Sequence, residues 1–466
     1  MNEGTYRIFK ILLIISLILC ISSNVASSQP VSAKCSFISN MIPDLVIKLY
    51  GGLDNDTASA IIRTDDCGYA IAGTTESFVA GKDGYLVKVD SNGDLEWENN
   101  YGGKYDDSFA SLVQTDDGGY IVAGTTKTYG QGKGLDSIWL LKFSSNGILE
   151  WDRTFWEEGI RSASSSVFML SDGRYAIGGV WRNRTAYIWH DQCWLLIINP
   201  DGTLDWETKF GNPGWYMTPP YVLTADDGFA LTTYFFPGES GNFYLTLLHA
   251  NGSIEWQKKY VVGGSSLATT LAQTQENGFV LAGTTENTNK YSCALLKTDS
   301  NGEEEWHNSY DLNLSWGSKP SKVLELSDGG YAFVISNQTS GSEKGILLVK
   351  TNATGEMEWY QDYGLATTDV AVSMIETFSE LAIIGTTVDL GNKDIILLLQ
   401  NTTTTCTPTT YISETTTSIP ETSITSISQT SVDTQSTIGI PLYPVLLAIV
   451  VSVIYMRRKR KRKKKD

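Results

Sequence analysis

The chain has 466 residues, 41% of them hydrophobic, enough for a sizeable core, and a net charge of −17. The charge is unevenly placed: residues 457–466 carry +8, residues 1–28 carry +1, and the remainder carries −26. So acidic a body argues against nucleic acid as a partner and is explained by solubility alone.

In chain order, residues 1–28 read as a secretory signal. Arg7 and Lys10 precede an apolar run from Ile11 to Ile21, and the small residues Ala26, Ser27 and Ser28 follow. Residues 29–43 form a lead-in. From residue 44 a single pattern recurs, timed by a tryptophan: Trp97, Trp151, Trp206, Trp256, Trp306 and Trp359, at steps of 54, 55, 50, 50 and 53 residues. A period near fifty residues means one supersecondary unit repeated.

The unit ending near Trp151 shows what is repeated. Phe109–Gln114 is closed by the turn TDDGG, and Tyr120–Thr126 alternates and ends in a Thr-rich loop. Ile138–Phe143 is nearly continuous apolar, as expected of a strand covered on both faces. The Ser-Ser-Asn-Gly that follows it suits a type I′ hairpin turn, and Leu149–Phe155 completes the unit. No run carries the 3.6-residue period of a helix. Four antiparallel strands, a to d, make a propeller blade.

Strands b and c recur seven times, but the Trp-bearing strand d follows only six of them. The seventh stands at the other end, where DLVIKLYGG (Asp44 to Gly52) matches the later DLEWENNYGG. The expected architecture is therefore all-β: a seven-bladed β-propeller over 44–401, closed by an N-terminal outer strand that removes the open sheet edge.

From 402 to 437 the composition changes: 22 of 36 residues are Thr or Ser. This stretch cannot bury a core and reads as a disordered, O-glycosylated stalk. Residues 438–456 carry no charge, and a helix of nineteen residues spans about 28 Å, one hydrocarbon core. The basic tail, 457–466, places the C-terminus in the cytoplasm and the propeller outside the cell. The expected localisation is the cell membrane, with a monomeric ectodomain. Seven sequons, at Asn55, Asn183, Asn251, Asn313, Asn337, Asn352 and Asn401, precede the span and agree with export.

The DGGY-x-x-AGTT, LLK-x-DSNG and EW-x-x-x-YGG segments resemble the repeats of secreted archaeal and bacterial propeller proteins. That likeness covers 44–401 and specifies a repeat type, not an activity. Stalk, span and basic tail look like the anchors of archaeal surface proteins. Asp90-Ser-Asn-Gly93 followed by Trp97 is similar to the tryptophan-docking motif of quinoprotein dehydrogenases, which implies that Gly and Trp lock adjacent blades. The adjacent cysteine pair that many of those enzymes carry is not found, so pyrroloquinoline quinone does not carry over and no cofactor is expected.

Asp90 and Asp299 stand where a calcium loop would begin, but the other repeats hold SSNG, NPDG and HANG there, and turn chemistry explains them better. His190, His249 and His307 share no metal-ligand spacing, so no metal is expected. Abundant acidic residues leave a glycosidase carboxylate pair open, with nothing to select one.

The a–b and c–d turns are short and uniform and lie on one face of the ring. The b–c and d–a loops vary and lie on the other, where binding residues belong. This face carries the candidates Trp181, Arg182, Trp189 and His190 in the longest b–c loop, VWRNRTAYIWHDQ, with Trp215, Tyr216 and Trp316 elsewhere and Trp156 on blade 3. Such aromatics suit a glycan or a protein ligand. Glycans at Asn55, Asn183, Asn313 and Asn337 would leave blades 4 and 5 the more accessible sector. Strand c of blade 7 and the N-terminal strand d should be neighbours, which lets Cys35 and Cys406 form a disulfide across the seam, with Cys67 a rival partner for Cys35. Cys193 and Cys293 are expected as buried thiols. The preferred reading is a non-enzymatic, surface-anchored binding or adhesion module. The alternatives are an extracellular enzyme acting on polysaccharide and a structural component of the cell envelope.

Overall fold

Within each repeat, stretches rich in aromatic and β-branched residues are cut by Asp/Asn/Gly turns, and the chain pleats into short antiparallel strands at those cuts. The computed structural model describes residues 45–401, apart from 79–80, 131–133, 186–187, 212–218, 234–241, 288–289, 315–316, 339–343, 364–368, 378–379 and 390–391. The signal, lead-in, stalk, span and tail, and with them Cys35 and Cys406, lie outside the described residues. The strands form seven four-stranded sheets, with no helix among the described residues. The protein is a seven-bladed β-propeller.

Blade 2 is representative, with strands Asp107–Gln114, Tyr120–Thr126, Ser137–Phe143 and Leu149–Phe155 in the order a-b-c-d. All seven residues of strand c are buried, whereas strand d is largely half-exposed at the periphery. The apolar core is a series of clusters, most of them lying between neighbouring blades.

The ring closes as the repeat count requires. Leu45–Tyr50 is strand d of blade 7 and pairs antiparallel with Asn392–Asn401, from Leu45 opposite Gln400 to Tyr50 opposite Ile395. Leu45, Ile47 and Tyr50 are buried in this seam.

The c–d turns are not type I′. In Ser144–Gly147 only the glycine has positive φ (75°), and its N–H donates to the Ser144 carbonyl at 3.0 Å while Ser144 N–H donates to Ile148 at 2.9 Å. Ser144 thus pairs with Ile148 around a three-residue loop, a bulged hairpin with its glycine in the left-handed position, and a separate shift between Lys142 and Phe143 leaves Glu150 as the extra residue of strand d. Asn146 stays in the ordinary region, whereas a type I′ turn needs two left-handed residues. Asp90 likewise spends its carboxylate inside its own turn, accepting from Asn92 and Asp94 N–H at 2.9 and 2.7 Å.

The a–b turns use the same geometry with Gly118, Gly173 and Gly329 at the left-handed position. In blade 1 that place is taken by Cys67, exposed, free and at φ 68°. An L-residue there costs about 1–2 kcal/mol, partly offset by the greater entropy glycine loses on folding. Cys67→Gly should therefore stabilise the propeller by about 0.5–1 kcal/mol. A denaturant midpoint that stays put or falls would remove the strain from Cys67. Cys193 and Cys293 are buried free thiols, pushed up to about 12 and further still by burial.

Neighbouring blades are locked by strand-d tryptophans. A Cβ on Gly147 would stand 2.7 Å from the ring of Trp97, one blade back, and Gly202, Gly252, Gly302 and Gly355 meet Trp151, Trp206, Trp256 and Trp306 in the same way. Trp97 also meets Tyr120 of blade 2 edge-on, with centroids 6.0 Å apart. A tyrosine at the end of strand d adds a hydrogen bond to the same turn: Tyr101 to the Gly147 carbonyl, Tyr260 to Gly302 (2.7 Å) and Tyr310 to Gly355 (2.5 Å). At the seam Val46 stands in the tryptophan position, and Tyr50 donates to the Gly93 carbonyl at 2.7 Å.

The lysine of each LLK segment is buried where it leaves strand c. Lys88 lies between Asp66 and Glu96, both at 2.8 Å. Burial opposes its charge, but the two carboxylates outweigh that and hold its pKa above the ordinary value. Lys142, Lys297 and Lys350 repeat the arrangement with one or two acids each. The acidic turn face is therefore partly neutralised from beneath.

Candidate binding face

The d–a loops are fastened to the b–c loops by one aspartate at the start of strand a. Asp107 accepts from Thr126 Oγ1 (2.6 Å), Thr128 Oγ1 (2.8 Å) and Gly103 N–H (3.0 Å). Asp56 does the same in blade 1 through Gly52 N–H and Ser77 Oγ, both at 2.7 Å. These carboxylates are buried and committed to holding loops. Their signature is an aspartate six residues after the Tyr of Tyr-Gly-Gly, a spacing the repeat shows openly.

Asp83, at the start of strand c of blade 1, is buried nearby. Burial raises its pKa, Asn100 opposes with a 2.9 Å hydrogen bond, and the neighbouring Asp107 adds to the rise. Above these residues, between blades 1 and 2, an open cleft of about 260 Å³ is lined by Asp54, Glu76, Gly81, Lys82 and Asp106.

On the same face, successive loops of blades 1 to 3 carry an arc of aromatic rings, one per loop: Phe78 (47% exposed), Tyr105 (41%), Tyr129 (46%) and Trp156 (45%). Two of them rest on another ring. Phe78 packs on Tyr85 with centroids 5.7 Å apart and Tyr129 on Trp139 at 5.2 Å, while Tyr129 Oη donates to the Gly102 carbonyl at 2.5 Å. Lys104 lies over the Tyr105 ring at 5.2 Å. Composition and repeat counting missed Phe78, Tyr105 and Tyr129. A signal existed: Phe78 and Tyr129 each stand three residues after Thr-Thr in successive repeats.

The arc continues onto blade 3, where two sequence candidates are found. Trp181 donates from Nε1 to Glu157 at 3.0 Å, and Lys209 pairs with Glu157 while lying 5.7 Å from the Trp181 ring and 4.9 Å from that of Trp194. Burial raises the Glu157 pKa, but Lys209 and Trp181 outweigh it and hold it below the ordinary value. Arg182 points the other way, its Nε 3.5 Å from the buried Asp191, whose pKa is raised by burial with Arg182 opposing.

The segment expected as the longest loop is instead a hairpin. Strands Tyr175–Thr185 and Ile188–Ile198 run on past the ring, with Asn183 opposite His190 and Arg184 opposite Trp189. Aromatic and β-branched residues on both arms extend the ladder where the other repeats turn back. Trp189 and His190 are thus strand residues, and their backbone alone is described. Trp215, Tyr216 and Trp316 lie outside the described residues. His249 and His307 are exposed on separate blades, beside Glu255 (3.5 Å) and Glu304 (2.7 Å).

The sequon asparagines differ in access. Asn251 is exposed in a c–d turn and Asn183 is half-buried. Asn55 Nδ2 already donates to Glu76 at 2.9 Å, and Asn352 Nδ2 to Glu356 at 2.9 Å. Asn337 is buried, its Oδ1 accepting from Ser318 at 3.2 Å. The side chains of Asn313 and Asn401 are outside the described set.

No family model matches the chain, and no curated protein matches it. Among solved structures it is similar to the polysaccharide lyase Uly1, at TM-score 0.47 and 10% identity over 76% of this chain and 91% of that one. It is similar to the Neurospora crassa Pan2 WD40 domain at TM-score 0.43 and 11% identity, over 74% and 89%. A puromycin hydrolase mutant (S511A) matches at TM-score 0.45 and 12% identity over 71% of this chain, which spans about half of that protein's length. At such identities nothing about activity passes to this chain.

Proposed function

We propose that the chain is a cell-surface binding or adhesion module, held by its C-terminal stalk and span, that meets its ligand with the loop face of blades 1 to 3, a placement that requires Asn55 and Asn183 to carry no glycan. The observation that carries this reading is the arc of Phe78, Tyr105, Tyr129 and Trp156, half-exposed rings on successive loops of the face that also bears a polar cleft, two of them backed by another ring. Large rigid side chains fixed before binding lose little entropy on contact. Strand c of blade 7 ends at Asn401 on the turn face, the face opposite these rings. An enzyme acting on polysaccharide is the second reading, and it draws on Asp83, buried beside the cleft with a raised pKa. Asp107 is less available for chemistry because its oxygens already clamp loops.

Photo-crosslinking separates the two faces. A benzophenone side chain placed at Tyr105 or Tyr129 of the intact chain should yield ligand adducts on cells, and one placed at Asn92 or Asn301 in the turn face should not. Equal yield from both faces would overturn the assignment.

A further inference from the structure

We propose that the arc takes an uncharged polysaccharide, with sugar rings lying flat on Phe78, Tyr105, Tyr129 and Trp156. This rests on the reading of the loop face of blades 1 to 3 as the binding face. The rings are half exposed, and two of them have another aromatic packed behind. A ring open on one side and backed on the other is a platform. A pyranose, with one apolar face of C–H groups and a rim of hydroxyls, fits a platform, whereas protein hot spots centre on anchors sunk in desolvated pockets. The rings are also set singly, one per loop, rather than joined in the continuous apolar core of a protein interface. The cleft on the same face offers carboxylates and an ammonium, at Asp54, Glu76, Lys82 and Asp106, to which hydroxyls can donate and from which they can accept.

Charge tells against a polyanion. Although the chain outside its two terminal segments carries −26, four cations along the arc are matched, Lys82 with Glu76 (3.4 Å), Lys127 with Asp106 (2.9 Å), Arg161 with Asp136 (3.3 Å) and Lys209 with Glu157, while a fifth, Lys104, lies over the Tyr105 ring. A charged polymer would have to displace these partners. An uncharged one leaves them in place.

The test uses the intact chain in detergent, presented to immobilised dextran, mannan and xylan, and to dextran sulfate and polygalacturonate. Binding to at least one neutral polymer is expected, changing less than about twofold between low and high salt because little charge is screened. Tyr129→Ala and Trp156→Ala should each weaken it by about tenfold or more, as hot-spot truncations do. Their melting temperatures, checked alongside, show whether the fold is intact. Binding only to the charged polymers, lost steeply with salt, would overturn the polymer class, and loss in the arc variants would then still support the face. Crosslinks from position 129 to a protein, with no polysaccharide bound, would likewise overturn this inference and leave the binding face standing. Polysaccharide binding that survives both substitutions would overturn both.

Discussion

Gly147→Ala is expected to destabilise the propeller by about 3 kcal/mol, against about 1 kcal/mol for Gly173→Ala. Both glycines hold the left-handed position of a tight turn, at φ 75° and 85°. An L-residue there costs about 1–2 kcal/mol at either site. The difference is what surrounds the new methyl. At Gly173 nothing lies within 4 Å, whereas at Gly147 the Trp97 ring lies 2.7 Å away and is itself held by Tyr120. Overpacking of that kind adds about 1–3 kcal/mol. Denaturant unfolding of the two variants measures the gap, and a Trp97→Leu background should narrow it, because the clash and the ring are one interaction. Equal losses at the two glycines would mean that docking does not hold the blades together.

Removing the chain up to Tyr50 should open the ring. Leu45, Ile47 and Tyr50 are buried, at about 2 kcal/mol each, so roughly 6 kcal/mol of apolar burial leaves with the strand. Strand c of blade 7, Asn392–Asn401, then becomes an edge carrying the run IILLL, a template for pairing with another molecule. The truncated chain is expected to self-associate in light scattering, and a peptide of residues 41–53 added in trans should restore the monomer. A truncated protein that stays monomeric and melts unchanged would show that the seam contributes little. Ile47→Asp, which keeps the strand and buries a charge beside Leu398, is the milder form of the same test.

The ring was readable because its determinants are short-range and repeated seven times. A Trp about every fifty residues and a glycine turn before six of the seven b strands are local patterns, and the unmatched DLVIKLYGG at the front follows from counting the strands. What escaped depends on partners contributed by another loop or blade. The lysine of LLK looks like a solvent-facing cation in sequence, and only folding sets Asp66 and Glu96 on either side of Lys88. The backing of Tyr129 comes from Trp139, and its hydroxyl reaches a glycine of the loop before it. The Asn-Gly of the c–d turns carries the information for a tight turn but not for its type, because the bulge is set by the pairing of the strands around it. The blade 3 hairpin breaks the repeat length and so reads as a loop, although its residues favour strand.

The seam also fixes the order in which the molecule can be made. Leu45 is among the first residues of the propeller to be synthesised, and its partner Gln400 is among the last. At roughly 5–20 residues per second, about 20 to 70 s separate them. Throughout that interval the first strand has no sheet to join, while blades 1 to 6 can form behind it as each emerges. Closure is therefore the last step in assembling the propeller, and a nascent chain stalled anywhere before blade 7 is an open ring with its first strand unpaired. Quality control acting on this protein would need to sense only that one strand.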